Sequence, residues 1–189
     1  MALERAAWLE RRYGADVQWL PFDLHPEYPP QGVPRTRLEQ RYGRGFLDHV
    51  RKMIEAAGLQ HAPPAHVPRS LASLQLAEAA RDEGAHDRVH SRLFLAYWAE
   101  GRDIGDPEVL GSVATEAGID AEEALEAISS DAFAERVQVS TDLARRFGVD
   151  GVPAWLIDEN VLVMGAQPHD TFAGVLEEMG YAPLPGSEE

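Results

Sequence analysis

Apolar residues recur every three or four positions through most of the chain, which is the spacing of helices with one buried face. Glycines mark the ends of several of these segments, and acidic caps mark the starts of others. The pattern predicts helices over residues 2–13, 46–57, 71–83, 85–99 and 131–147, with two more that start at Asp106 and Asp120. Residues 36–147 are therefore expected to be almost entirely helical.

Strand patterns are few. Val17, Trp19 and Leu20 predict a strand within residues 16–22, which Pro21 ends. Two apolar runs, at residues 155–157 and 161–163, flank Asp158-Glu159-Asn160 and predict a β-hairpin. After the hairpin, Pro168 is expected at the first position of a last helix.

A turn leads directly into that hairpin. Residues 148–153 read GVDGVP, so two glycines and an X-Pro bond precede the strand. Proline has no N–H and a fixed φ, and within sheets it is tolerated at strand starts, edges and bulges. Val152–Pro153 is therefore placed where a cis peptide bond is expected, in a tight turn at the start of a strand.

This order of helix, Gly-Val-Pro turn, hairpin and final helix resembles the C-terminal half of a thioredoxin fold, in which the Val-Pro peptide is cis. Residues 148–180 resemble the DsbA-like family, which includes FrnE-type dithiol–disulfide oxidoreductases and relatives of 2-hydroxychromene-2-carboxylate isomerase. The segments PFDLHP (residues 21–26) and RDIGDP (residues 102–107) resemble FrnE-type sequence. The resemblance implies an α/β fold: an incomplete thioredoxin-like core (residues 1–35 and 148–189) with a large α-helical insertion (residues 36–147).

The chain departs from the family at the catalytic residues. The family's first β-strand and its C-x-x-C motif are missing, because the sequence starts in the helix that follows them. Isomerase relatives place a serine there, which is equally missing. A missing central strand leaves a gap of about twice the ~4.8 Å between neighbouring strands. We expect that Met1 is an internal methionine just past an upstream redox motif; a rearranged sheet, or a second chain in the gap, are the alternatives.

Composition limits the chemistry. The chain has no cysteine, which excludes disulfides, thiolate metal sites and thiol catalysis within it. A net charge of −15 argues against a nucleic-acid partner, since binding to phosphates depends on clustered Lys and Arg. No apolar run reaches the ~20 residues of a membrane span, and the start of the chain lacks the apolar stretch of a signal peptide. A cytoplasmic location is therefore expected.

The resemblance places substrate binding in the loop Gly151, Val152 and Pro153. In the family, the backbone of the residue before the cis-proline pairs with the bound thiol substrate, and that role falls to Val152 here. The expected partner is a thiol or disulfide substrate protein or glutathione, and a homo-oligomer is left open. We assign no catalytic residue, no metal ligand and no cofactor.

Histidines are the other candidates for chemistry. His86 and His90 are four residues apart on a predicted helix, a spacing that can hold a metal, and Asp82 lies one turn earlier. Without a motif such as H-E-x-x-H we interpret them as part of a solvated polar face. His25 follows the predicted strand near the expected active-site end, and a loop role is the simplest interpretation.

The resemblance predicts a DsbA/FrnE-like thiol–disulfide oxidoreductase, and this chain is expected to be inactive because it has no cysteine. Whether the chain is an enzyme is left open. Two alternatives are kept: a glutathione-dependent isomerase or transferase of the same fold, which needs an upstream serine and a glutathione pocket, and a non-catalytic binding module that completes its sheet with a partner strand.

Overall fold

The computed structural model describes residues 2–56, 58 and 60–187, apart from the side chain of Phe46. The helices among them are α1 (Ala2–Tyr13), α2 (Thr36–Tyr42), α3 (Arg44–Ala56), α4 (Leu71–Asp82), α5 (His86–Trp98), α6 (Pro107–Glu116), α7 (Ala121–Ile128), α8 (Asp131–Arg146) and α9 (His169–Glu178). The strands are β1 (Val33–Pro34), β2 (His66–Val67), β3 (Ala154–Ile157) and β4 (Val161–Met164). Ala57, the expected last residue of the helix that corresponds to α3, lies outside the described residues.

The chain divides into two compact units. One comprises the residues up to Leu20 together with those from Ala144 onward, and the other runs from Pro21 to Leu143. At the first junction, the boundary predicted from the sequence, after residue 35, lies fifteen residues beyond the boundary after Leu20. The predicted division into residues 1–35 with 148–189 and residues 36–147 stays a prediction.

The first unit is built around the predicted hairpin, which is confirmed. β3 and β4 pair antiparallel, with Trp155 opposite Val163. Both side chains are buried, because they pack in one apolar cluster with residues of the two helices of this unit. The helical members of that cluster are Ala6, Trp8 and Leu9 of α1 and Phe172 and Leu176 of α9.

The hairpin turn uses two residues in the left-handed region. Asp158 and Glu159 have φ of 49° and 55°, and the Asn160 N–H donates to the Ile157 carbonyl at 3.0 Å. Positive φ at both central residues is the geometry of a type I′ turn, whose twist matches that of the strands it joins.

The second unit has a helical core. The residues of its main apolar cluster come from α4 to α7 and the turns between them, as the helical pattern of this region predicts. Those that are fully buried are Leu76, Ala80, Val89, Ala96, Leu110, Val113 and Ala114. None of the helices that the structure describes is both long and apolar enough to cross a membrane.

The acidic helix caps are confirmed. The Asp106 carboxylate accepts the Glu108 N–H at 2.9 Å, and the Asp120 carboxylate accepts the N–H groups of Glu122 and Glu123 at 2.8 and 3.2 Å. Each carboxylate satisfies N–H groups that have no partner within the helix. Pro168 is the cap of α9 and not its first helical residue, so that prediction is one residue out.

The predicted strand over residues 16–22 is wrong, because these residues form no strand in the structure. An extended segment becomes a strand only by pairing with a neighbour, and none of the described strands pairs with it. Val17 and Trp19 nevertheless pack on the apolar cluster of the first unit. The pair β1–β2 was not predicted, since two residues per strand, one of them a proline, carry no alternation to detect.

Candidate substrate-binding site

The chain reaches the candidate loop from the end of α8. Gly148 has a φ of 88°, its N–H donates to the Arg145 carbonyl at 3.0 Å, and the Val149 N–H donates to the Ala144 carbonyl at 3.0 Å. These two bonds form a Schellman motif, which ends a helix at a residue in the left-handed conformation. Val149 is buried, so the helix end is anchored just before the loop begins.

The three predicted binding residues lie in succession between α8 and β3. The Val152–Pro153 peptide bond is cis, and the Pro153 carbonyl accepts the Gly165 N–H at 2.8 Å. A Cβ added to Gly151 would lie 3.9 Å from the Met164 Cε, an ordinary contact. Between these half-buried neighbours the Val152 side chain is 56% exposed. The loop is thus held at both sides and presents Val152 to solvent; its role in binding stays a prediction.

One edge of β3 next to this loop is unpaired. Backbone groups of successive residues point to alternate sides of a strand. Because the Pro153 carbonyl points toward β4, the N–H and C=O groups of Ala154 and Leu156 point away from it. No strand among the described residues pairs with that edge. An extended chain lying there could continue the ladder from the exposed Leu156 to Val152.

One face of β3 packs against aromatic side chains. The Trp155 ring meets Phe172 edge-on at 5.2 Å between centroids, and lies 6.0 Å from the Trp19 ring. Trp155 is only 9% exposed. Because this packing fixes β3 on the apolar core of the unit, it also fixes the position of the loop that precedes β3.

A polar cluster joins the first turn of α1 to the loop that follows β4, and sequence reasoning missed it. The Arg5 Nε donates to the Gln167 carbonyl at 2.8 Å, and its Nη1 lies 2.6 Å from the His169 Nε2. The His169 Nε2 also lies 2.9 Å from Glu4 Oε1, and the His169 ring stacks on Trp8. The partners are more than 160 residues apart, so no local pattern could have indicated the cluster.

The cluster also connects α1 with the candidate loop. The Gln167 side chain donates to the Met164 carbonyl at 2.8 Å, one residue before the Gly165 that bonds Pro153. Arg5 is therefore connected to the start of β3: Arg5 bonds Gln167, Gln167 bonds Met164, and the adjacent Gly165 bonds Pro153. The first turn of α1 is tied in this way to the loop whose Gly165 bonds Pro153.

The candidate histidines are placed differently. His25 lies in the second unit, where its ring stacks on Tyr28 at 4.3 Å and its Nδ1 lies 3.1 Å from Glu27 Oε1. His86 and His90 do not lie on a solvated face, which corrects that interpretation: the His86 side chain is 11% exposed, and burial lowers the pKa of His90 to about 4. Asp82 instead holds Arg136 through both carboxylate oxygens, at 2.8 and 3.0 Å.

The chemistry open to this site is recognition through backbone groups. The chain has no cysteine, and thiol–disulfide exchange needs a thiolate as its nucleophile. Within the described residues, no three His, Cys, Asp or Glu side chains are grouped so as to hold a metal ion. A loop with an exposed residue at the start of an unpaired strand edge can bind an extended peptide or a peptide-like ligand.

The hairpin and the helices that flank it, together with the helical second unit, define an α/β protein of the thioredoxin-like class with a large helical portion. The chain belongs to the DSBA-like thioredoxin domain family, whose model matches residues 1–177. This confirms both the family and the fold predicted from the sequence.

Individual relatives agree with the family. YwbO, an uncharacterized protein of Bacillus subtilis, is 25% identical over 179 residues, which cover 92% of this chain and 88% of that protein. Human glutathione S-transferase kappa 1 is 24% identical over 175 residues, or 83% of this chain and 73% of the enzyme.

Solved structures give the same fold. A probable DsbA oxidoreductase from Streptomyces coelicolor superposes with a TM-score of 0.75 at 26% identity, covering 84% of this chain and 73% of its own. A 2-hydroxychromene-2-carboxylate isomerase superposes with a TM-score of 0.66 at 19% identity, covering 95% and 87%. The similar proteins thus include one named as a probable oxidoreductase, one named as a glutathione transferase and one named as an isomerase.

Proposed function

We propose that this chain binds a thiol or disulfide substrate, a protein dithiol or glutathione, at the loop Gly151, Val152 and Pro153 in the manner of FrnE-type proteins. It does not carry out the exchange by itself, because exchange needs a thiolate and the chain has no cysteine. The observation that carries the proposal is the exposed Val152, held between an anchored helix end and the Pro153–Gly165 hydrogen bond.

Binding uses the backbone of Val152. A substrate segment that lies extended beside the loop accepts the Val152 N–H and donates to its carbonyl, as a strand added to a sheet edge does. The outward groups of Ala154 and Leu156 extend the same row. Pro153 cannot donate, and its carbonyl is already bonded to Gly165, so Val152 is the first residue of the row that offers both groups.

Insulin reduction tests the catalytic half of the proposal. With dithiothreitol as reductant, insulin should precipitate at the same rate with and without the purified chain, since no thiolate of the chain can attack the insulin disulfides. A thiol-containing thioredoxin serves as the positive control. Acceleration by the chain would contradict its inactivity.

A pair of variants at Val152 tests the binding half. Calorimetric titration with glutathione, and with a short peptide that carries a dithiol, gives the affinity of the wild-type chain. Val152→Pro removes the N–H and should weaken binding about 3- to 10-fold, since one hydrogen bond contributes about 0.5–1.5 kcal/mol. Val152→Ala keeps the N–H and should bind like wild type. Equal affinities for both variants would place the ligand elsewhere.

Two further functions have support of their own. Similarity to glutathione S-transferase kappa 1 favours a glutathione-dependent isomerase or transferase, for which catalysed transfer or isomerisation with glutathione, and not binding alone, is the expected result. The unpaired edge of β3 favours a binding module that completes its sheet with a partner strand. A fold that depends on protein concentration, with neither activity, would distinguish the module from both enzymes.

A further inference from the structure

We propose that His86 and His90 form a binding site for a divalent late transition metal such as Cu²⁺, Ni²⁺ or Zn²⁺. Residues four apart on a helix lie one above the other on the same face. The two rings of α5 are stacked in this way, with centroids 5.3 Å apart and planes 28° from parallel. Two imidazoles at this spacing on a helix can bind one ion when their rings turn so that one nitrogen of each faces it.

A carboxylate sets the orientation of the first ring. The His86 Nδ1 lies 3.1 Å from Asp87 Oδ1 and carries the proton of that hydrogen bond. The Nε2 is then left with its lone pair, and it makes no hydrogen bond to any residue that the structure describes. Histidine ligands of metals are commonly held in this way by a carboxylate on the other ring nitrogen, which fixes the tautomer and raises the basicity of the ligand.

Packing restrains the second ring. The Phe94 ring meets His90 edge-on, with centroids 4.9 Å apart and planes 79° from parallel. His90 is therefore confined between His86 on one side and Phe94, one turn further along α5, on the other. A restrained pair of ligands loses little conformational freedom when it binds an ion.

Local charges partly oppose a cation and partly favour it. His86 is the first residue of α5, where the helix dipole is positive. The positive charge of Arg81 lies near His90 and disfavours a cation there, but Glu78 pairs with Arg81 at 3.0 Å, and Asp87 adds a negative charge to the first turn. Since Asp82 is held by Arg136, the protein supplies two nitrogen ligands and water completes the coordination. Imidazole ligands suit Cu, Ni and Zn, and Cu²⁺ binds such sites most tightly.

Cu²⁺ alone is the probe for this site. Calorimetry should give one strong Cu²⁺ per chain, and the electron spin-echo modulation of the complex should show two coordinated imidazoles. His86→Asn and His90→Asn should each weaken binding at least tenfold and leave one imidazole or none. His49→Asn, which changes an exposed histidine of α3, should leave both the affinity and the spectrum as in wild type.

Asp87→Asn supplies a test that does not endanger the fold, because the Asp87 side chain is 90% exposed. Loss of such a partner weakens metal binding about 10- to 100-fold. Circular dichroism checks that each variant is folded; if a histidine variant is not, the Asp87→Asn titration and the wild-type spectrum decide. The proposal is overturned if the wild-type spectrum shows fewer than two imidazoles, or if folded His86→Asn and His90→Asn bind Cu²⁺ as wild type does.

Discussion

Gly32, the residue before β1, lies close to the backbone at the end of β2. Its φ is 72°, and a Cβ placed on it would lie 2.3 Å from the Val67 carbonyl oxygen and 3.0 Å from the Pro68 Cα. Both contacts are with backbone, so no side-chain rotation can relieve them. Gly32→Ala should therefore lower the free energy of unfolding by clearly more than the ~1–2 kcal/mol that a left-handed conformation costs an ordinary residue.

Gly118 provides the matched control. Its φ of 82° is just as unfavourable for alanine, but nothing lies within 4 Å of the added Cβ. Gly118→Ala should then show the conformational cost alone, about 1–2 kcal/mol. Urea unfolding of the two variants measures the difference. A Gly32→Ala variant no less stable than Gly118→Ala would mean that β1 and β2 separate without cost.

Buried charge is the property of single residues that the sequence predicted least well. In α4 the apolar pattern indicates a buried side of Leu71, Leu74 and Ala77, with Leu76 left open. The structure leaves Leu71 and Leu74 half-buried, and it buries Leu76 and Ala77 together with Glu78, which is 3% exposed. Its carboxylate accepts from Arg81 one turn on, and lies 3.9 Å from Arg136 of α8. A charge is buried only where partners compensate it, and Arg136 is brought there by tertiary structure that a local pattern does not contain.

At the scale of elements, the helix caps were readable because their chemistry is local. Asp106→Ala and Asp120→Ala should each lower the free energy of unfolding by about 1 kcal/mol, because each leaves helix N–H groups without an acceptor. Ser70 also precedes a helix, but its hydroxyl makes no capping bond. Ser70→Ala should therefore have little effect, and urea midpoints compare the three variants. Equal losses in all three variants would show that the cap bonds of Asp106 and Asp120 do not account for the loss of stability.

The strands show which elements a local sequence pattern can predict and which it cannot. The hairpin was predicted because its two apolar halves are separated by only three residues in the sequence. The segment over residues 16–22 has equally suitable side chains but no pairing strand among the described residues. The candidate site shows the same difference between local and long-range features. Residues 151–153 are consecutive in the sequence and were predicted, whereas the Arg5–His169 cluster joins residues far apart in the sequence and was not.

For the molecule as a whole, acid should act in two opposite ways. A net charge of −15 at pH 7 means that protonation at first relieves repulsion between carboxylates. Against this stands Glu116, whose pKa of about 2 is lowered by hydrogen bonds from Ser112 and from Arg92 and Arg102. Because the folded-state pKa lies below the ordinary value, the carboxylate stabilises the fold at neutral pH, and this contribution is lost as pH falls from about 4.5 through 2.

Glu116→Gln should consequently melt lower than wild type at pH 7 and approach it near pH 2. The effect is modest, since the Glu116 side chain is 37% exposed and solvent screens its ion pairs. Melting temperatures at pH 7, 4 and 2 measure it. Glu126→Gln is the control, because that carboxylate makes no ion pair with any residue in the described part of the chain. A constant difference between Glu116→Gln and wild type at all three pH values would contradict the assignment.

The hairpin turn offers a route to a thermostabilised variant that leaves the binding loop intact. Glu159 is exposed and has a φ of 55°, a conformation that glycine adopts without steric cost. Glu159→Gly should raise the free energy of unfolding by roughly 0.5–1 kcal/mol, whereas Asp158 should be kept because it accepts the hydroxyl of Tyr181. A higher melting temperature with unchanged glutathione affinity would make this turn the first position to engineer when the chain is prepared for ligand screening.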